Sequence, residues 1–154
     1  MSKNTSSAGI EFKGMKELNR AIQRLPEELQ KRAYRSVITT GARVIARHAR
    51  KNISTERTGL LKKSIGVKSI VFKGANSGAL AIIGPKRSVQ GEYKGKRVIP
   101  ANYSHLVEYG TSHSAAKPFI RPAIDSSKSE VMTKMAAGLN RFMTRAVASA
   151  RRGR

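Results

Sequence analysis

The sequence predicts an α+β fold in which a small antiparallel sheet, a hairpin plus a short third strand, packs against a long N-terminal helix and a long C-terminal helix. Three observations carry this reading. Apolar residues recur at helical spacing in two long segments, 26–52 and 122–150. Between them, two apolar runs alternate as strands do and are separated by a glycine-rich break. Prolines stand where elements must begin or end.

Residues 1–9 are polar and read as a disordered N-terminus, 10–150 as one α+β domain, and 151–154 as a basic tail. Met15, Leu18, Ile22 and Leu25 mark a first helix from Gly14 to Leu25. Pro26 closes it and opens a second, with Glu27 and Glu28 at the positive end of the new helix dipole. That second helix runs to Asn52, roughly 40 Å at about 1.5 Å per residue. Val37, Ile38, Gly41, Val44, Ile45 and His48 share one face, and Arg32, Arg35, Arg43, Arg47 and Arg50 cluster on the other.

Thr58–Ser64 reads as a loop with a helical turn. Ile65–Phe72 and Ala79–Gly84 form the hairpin strands, with Gly74-Ala-Asn-Ser-Gly78 as their connection. Neither face of this hairpin is purely polar. Residues 86–97 read as a basic, glycine-containing loop, Val98-Ile99 as the short third strand, and Asn102 as a cap for the helical turn that follows. After Pro122 the last helix carries Val131, Met135, Leu139, Phe142, Met143 and Ala146 as its apolar stripe, with Lys134, Arg141 and Arg145 outside it. Ser127-x-x-Glu130 has the form of a capping box.

Composition narrows the class. The chain has 154 residues, 39% of them apolar, with no Trp and no Cys. Lacking Cys, it makes no disulfides and offers no thiolate ligands, which fits a reducing compartment. No apolar run approaches the roughly 20 residues that span a bilayer, and the N-terminal stretch lacks the apolar core of a signal peptide. No membrane association is expected. The outlier is charge: 31 Lys and Arg against 9 acids gives +22. Such self-repulsion calls for a polyanion or an acidic protein partner. No Asp or Glu lies between Glu28 and Glu56 to offset the arginine stripe of the second helix. The five arginines are therefore candidate contacts to DNA or another polyanion, against the simpler reading of a solvated helix face.

Catalytic chemistry is thinly provided. His105, Glu108 and His113 are the one cluster to test, and their spacing matches no metal motif such as His-Glu-x-x-His. Glu108 reads instead as an ion-pair partner for a base such as Arg121. His48 falls on the apolar face of its helix, where a satisfied core or interface histidine is the ordinary case. No nucleophile elbow or phosphate loop is present. No metal, cofactor or enzymatic activity is expected.

The densest segment is His105-Leu-Val-Glu-Tyr-Gly-Thr111, continuing to Pro118-Phe-Ile-Arg-Pro-Ala123. Gly110 can take the positive φ that stops a helix, Pro118 keeps Lys117 extended, and Pro122 suits a first helical turn. The segment reads as a rigid connector aiming one helix at another. It resembles the signature of the gene-product-ten-like tail-component or neck proteins of lambdoid siphophages. Gly14-Met-Lys-Glu-Leu18, Thr58-Gly-Leu-Leu-Lys-Lys-Ser64 and Ile83-Gly-Pro85 agree in layout, so the resemblance spans about residues 9–150.

The resemblance implies a non-enzymatic structural virion protein, acting in head–tail joining or tail completion as a ring-forming subunit around the DNA channel. Its neighbours would be adjacent neck rings, an adaptor or head-closure ring on one side and a tail terminator or tail tube on the other. Packaged DNA would be a further contact. The protein would reside in the virion, and in host cytoplasm during assembly. His105, Leu106, Glu108, Tyr109, Gly110, Pro118, Phe119, Arg121 and Pro122 are the candidate assembly interface. The alternative is a free-standing, sequence-independent nucleic-acid-binding protein, which the basic charge allows but no nucleic-acid motif supports.

Overall fold

The longest periodic segments pair first. In the computed structural model, which describes residues 14–53, 58–72 and 78–152, α2 (Glu27–Asn52) and α5 (Ile120–Arg152) lie side by side. They run antiparallel, since Asn52 reaches Phe119, Arg47 and His48 reach Glu130, and Thr40 lies against Gly138. The closest approach falls at Gly41, where an added Cβ would sit 2.6 Å from Sδ of Met135 and 3.2 Å from Cγ1 of Val131. The glycine is a notch into which the facing methionine is seated. Val37, Val44, Ile45, Val131, Met135 and Leu139 complete this part of the core.

A short α1 (Met15–Gln23) buries Leu18 and Ile22 and is tied to α2 by the Tyr34 hydroxyl, which donates to Asn19 at 2.6 Å. Beyond α2 comes α3 (Leu60–Ser64), then the hairpin of β1 (Ile65–Phe72) and β2 (Gly78–Pro85). Its register runs from Ile65 opposite Pro85 to Phe72 opposite Gly78. Val67, Val71, Ala79 and Ile83 share the inner face, packed mainly on α2. Because side chains alternate across a strand, Lys68, Ile70, Phe72, Leu80 and Ile82 share the other. Of the expected connection, residues 74–77 lie outside the described residues, and Gly78 already belongs to β2.

The α+β class stands, with five corrections of detail. Residues 86–97 are not a loop throughout: β3 (Gly91–Tyr93) and β4 (Lys96–Val98) form a second hairpin. Lys94 and Gly95 both have positive φ, the geometry of a two-residue turn matched to strand twist. Val98 therefore pairs with β3 in its own two-stranded sheet and does not extend β1–β2. Ile99 caps α4 (Pro100–Tyr109), with Pro100 in its first turn. Asn102 sits one turn inside that helix, its N–H donating to the Ile99 carbonyl at 3.0 Å, so it is no cap. Helix α5 begins at Ile120, which places Ser127 and Glu130 well within it and removes the capping box; Ser127 is buried. Finally, α5 continues through Arg152, so the first residues of the expected basic tail are helical. Residues 1–13 and 153–154 lie outside the described residues.

The Gly41 notch makes a stability prediction. Gly41→Val should overpack the α2–α5 seam and lose about 1–3 kcal/mol in urea unfolding, because the added atoms meet both Met135 and Val131.

Candidate functional site

The connector between α4 and α5 is built around one carboxylate. Gly110 ends α4 with φ 78 and ψ −177, a combination open almost only to glycine. Its N–H donates to the Leu106 carbonyl at 2.9 Å, and a Cβ there would lie 2.8 Å from the Ala116 nitrogen. Thr111 and Ser114 then close a tight reversal through paired backbone hydrogen bonds. Lys117 N–H donates to the Val107 carbonyl at 2.8 Å, laying the returning chain alongside α4.

That return brings the start of α5 to Glu108. Its carboxylate is buried and accepts the backbone N–H groups of Phe119, Ile120 and Arg121 at 2.8, 3.0 and 3.1 Å. The first N–H groups of a helix lack partners within it, and the helix dipole places partial positive charge there. A carboxylate supplied from α4 meets both needs through charge-assisted hydrogen bonds. The sequence-based expectation of a Glu108–Arg121 side-chain ion pair is thus corrected. Arg121 contributes its backbone, while its guanidinium lies over the Tyr109 ring, 5.0 Å from the centroid. Phe119 is buried beside this junction, its carbonyl accepting from the Asn52 amide at 3.2 Å.

The motif residues therefore divide. Glu108 and Phe119 are buried and Gly110 forms the turn, so these three shape the connector from within. Tyr109, Pro118, Arg121 and Pro122 are exposed and line one shallow depression of about 580 Å³. His105 and Leu106 are exposed on α4 outside that depression. An apolar surface escaped the sequence reading: on the outer hairpin face, Phe72, Leu80 and Ile82 are 49%, 47% and 51% exposed. The signal was present in the absence of a polar strand face.

The arginine stripe also divides. Arg32 and Arg35 are exposed, and Arg50 is half-buried, donating to the Ile65 carbonyl at 2.6 Å and so pinning β1 to α2. Arg43 and Arg47 join Lys134, Arg141 and Arg145 of α5 along a groove of about 410 Å³ between the two helices. Ser36, Thr40, Arg43 and Arg47 repeat at offsets of four, three and four, as do Lys134, Gly138, Arg141 and Arg145, so each helix contributes one side-by-side row. The three α5 cations were visible in the sequence only as residues outside an apolar stripe; antiparallel pairing brings them to the arginines of α2.

One acid closes the seam near this groove. Glu130 pairs with Arg47 and accepts from His48 Nε2 at 2.9 Å, while His48 Nδ1 lies 3.4 Å from the Ser126 hydroxyl. His48 is thus the satisfied interface histidine its helix position suggested. The hydrogen bond from His48, then that from Arg47, hold the Glu130 carboxyl below its ordinary value. Among the described residues no group of three His, Asp or Glu is placed to hold a metal ion, and no helix is long and apolar enough to cross a membrane.

The chain matches the family described as "Bacteriophage HK97-gp10, putative tail-component" over residues 16–110, well over half its length. It belongs to that phage tail-component family, the one its central motif resembles. The match ends at Gly110, so Pro118–Ala123 and α5 lie outside it, a narrower span than the 9–150 of the sequence resemblance. No curated protein and no solved structure matches the chain.

Two predictions follow from this geometry. Glu108→Ala orphans three backbone donors and should cost at least about 2 kcal/mol in chemical unfolding, at about 1–3 kcal/mol per buried unpaired group, whereas Glu108→Gln should cost less. The second concerns pH. A carboxyl whose pKa is lower folded than unfolded contributes stability that is present above the unfolded pKa and fades as pH falls through the folded one. The gap in Tm between the native chain and Glu130→Gln should therefore be open at neutral pH and close as pH drops below about 4.

Proposed function

We propose that this protein is a non-enzymatic structural subunit of the phage neck, acting in head–tail joining or tail completion as one member of a ring around the DNA channel. Its place in a phage tail-component family supplies the class. The observation that carries the assembly reading is the outer face of the β1–β2 hairpin. Phe72, Leu80 and Ile82 stand about half exposed together on one small sheet, and contiguous exposed apolar surface of this kind marks an interaction site. Tyr109 and Leu106, 64% and 44% exposed, add a second apolar patch at the rigid connector.

Apolar patches on two different elements of one subunit suit heterologous contacts, which close into rings when the rotation allows. A ring of subunits each carrying +22 is self-repelling unless something negative offsets it. DNA within the channel and acidic surfaces on adjoining neck rings, an adaptor or head-closure ring and a tail terminator or tail tube, are the partners that fit. The protein would then be made in host cytoplasm and end in the virion.

Phe72→Ser with Ile82→Ser should leave secondary structure and Tm close to native, because both side chains are half in water already. The same pair should abolish ring-sized assemblies in light scattering and leave heads and tails unjoined in a complementation assay. Normal joining by this variant would remove the hairpin face from the interface. A native chain that remains monomeric, stays out of virions and binds nucleic acid on its own would favour the free-standing nucleic-acid-binding alternative.

A further inference from the structure

We infer that the groove between α2 and α5 is a phosphodiester-backbone site that holds DNA without regard to sequence. This deepens the reading above and rests on its premise that the protein works beside DNA. Among the described residues, five cations line the groove, Arg43 and Arg47 from α2 and Lys134, Arg141 and Arg145 from α5, and no carboxylate lines it. Four of the five are arginines, whose forked donors suit phosphate oxygens.

Spacing favours a regularly charged polymer over a single anion. Arg43 to Arg47 and Arg141 to Arg145 are one helical turn apart, about 6 Å, and Lys134 to Arg141 about 10.5 Å. The antiparallel helices set these rows side by side, making a track with cations on both walls. A duplex strand offers one charge for about every 3.4 Å of its axis, so several phosphates can meet the track at once.

The lining also says what the groove does not read. Sequence is read at base edges, and single-stranded bases are held by stacking on exposed aromatic rings. Among the described residues, the one aromatic in the lining, Phe142, is half-buried in the helix seam. Binding should accordingly be electrostatic, strongly salt-dependent and indifferent to sequence. Arg47 stands apart, because Glu130 already pairs with it at the edge of the groove; Arg43 and the α5 cations carry most of the attraction.

The test uses the full chain and a fluorescent 30-base-pair duplex titrated across salt concentrations. Lys134→Glu/Arg141→Glu/Arg145→Glu should weaken binding at least tenfold and lower the slope of log K against log salt by about 3, near 0.9 per lost phosphate contact. Arg87→Glu/Lys94→Glu/Lys96→Glu, an equal charge change at exposed positions on the β3–β4 side, should move the slope far less. If the Glu triple misfolds by circular dichroism, Lys134→Gln/Arg141→Gln/Arg145→Gln gives the same comparison with milder chemistry. Equal losses in the two triples would overturn the site in favour of net charge alone, and a native chain that fails to bind the duplex would overturn it outright. Polyglutamate competing as well as DNA would also overturn it, pointing to an acidic protein partner. Groove-dependent binding by a chain that never forms rings would sink the neck-ring reading and leave the site standing. Normal assembly with groove-independent binding would do the reverse.

Discussion

The structure turns on the buried carboxylate of Glu108. A 33-residue helix must leave the connector in one direction, and its first N–H groups must be satisfied wherever it starts. Glu108 does both by accepting three successive N–H groups at the start of that helix, those of Phe119, Ile120 and Arg121. Since Glu108 sits on α4, the contact fixes α5 against α4, and Asn52 on the Phe119 carbonyl ties the same point to the end of α2. Phe119 fills the space between. Three helices thus meet at one junction, and the antiparallel alignment of α2 with α5 is set there before the notch at Gly41 is reached.

Much follows from that alignment. Only when α5 runs back along α2 do Lys134, Arg141 and Arg145 come to face the groove that Arg43 and Arg47 border. The same alignment brings Glu130 to Arg47 and His48, so that part of the positive charge is answered within the fold. That clasp is about a third exposed on the glutamate side, where solvent screens it, and its effect is better seen as locking register than as adding much stability. Met135, buried against Gly41, holds the helices together through the apolar surface it removes from water.

The helices, the main hairpin and the connector were legible because each depends on local pattern: 3.6-residue periodicity, alternation, and the glycine and prolines of the motif. What was not legible depends on chain reversal. Glu108 read as a partner for the Arg121 side chain because both are charged and close in sequence, but the turn through Gly110 delivers Arg121's backbone to the carboxylate and its guanidinium to Tyr109. Ser127 and Glu130 match a capping box in sequence, yet a cap is needed only where N–H groups are unpaired, and Glu108 had already met that need upstream. The small β3–β4 hairpin was missed because its turn places Lys94, not a second glycine, at positive φ. Of the five arginines, Arg50 is drawn off to the Ile65 carbonyl, a partner no helical wheel displays.

The surfaces that result are of two kinds, and their separation constrains how the subunit can work. The inner hairpin face packs on α2, so Phe72, Leu80 and Ile82 point away from it, while the cationic groove lies on the α2–α5 side. An apolar contact needs close, dry packing, whereas a phosphate contact trades counterions and tolerates water. Placed on one surface, each would spoil the other, since arginines buried in an apolar interface without partners carry a heavy desolvation cost. With the α2 core between them, a protein partner on the hairpin, as proposed, would leave the groove open to a polyanion. The junction at Glu108 keeps that division rigid, because a shift in the direction of α5 would disperse the groove without touching the hairpin.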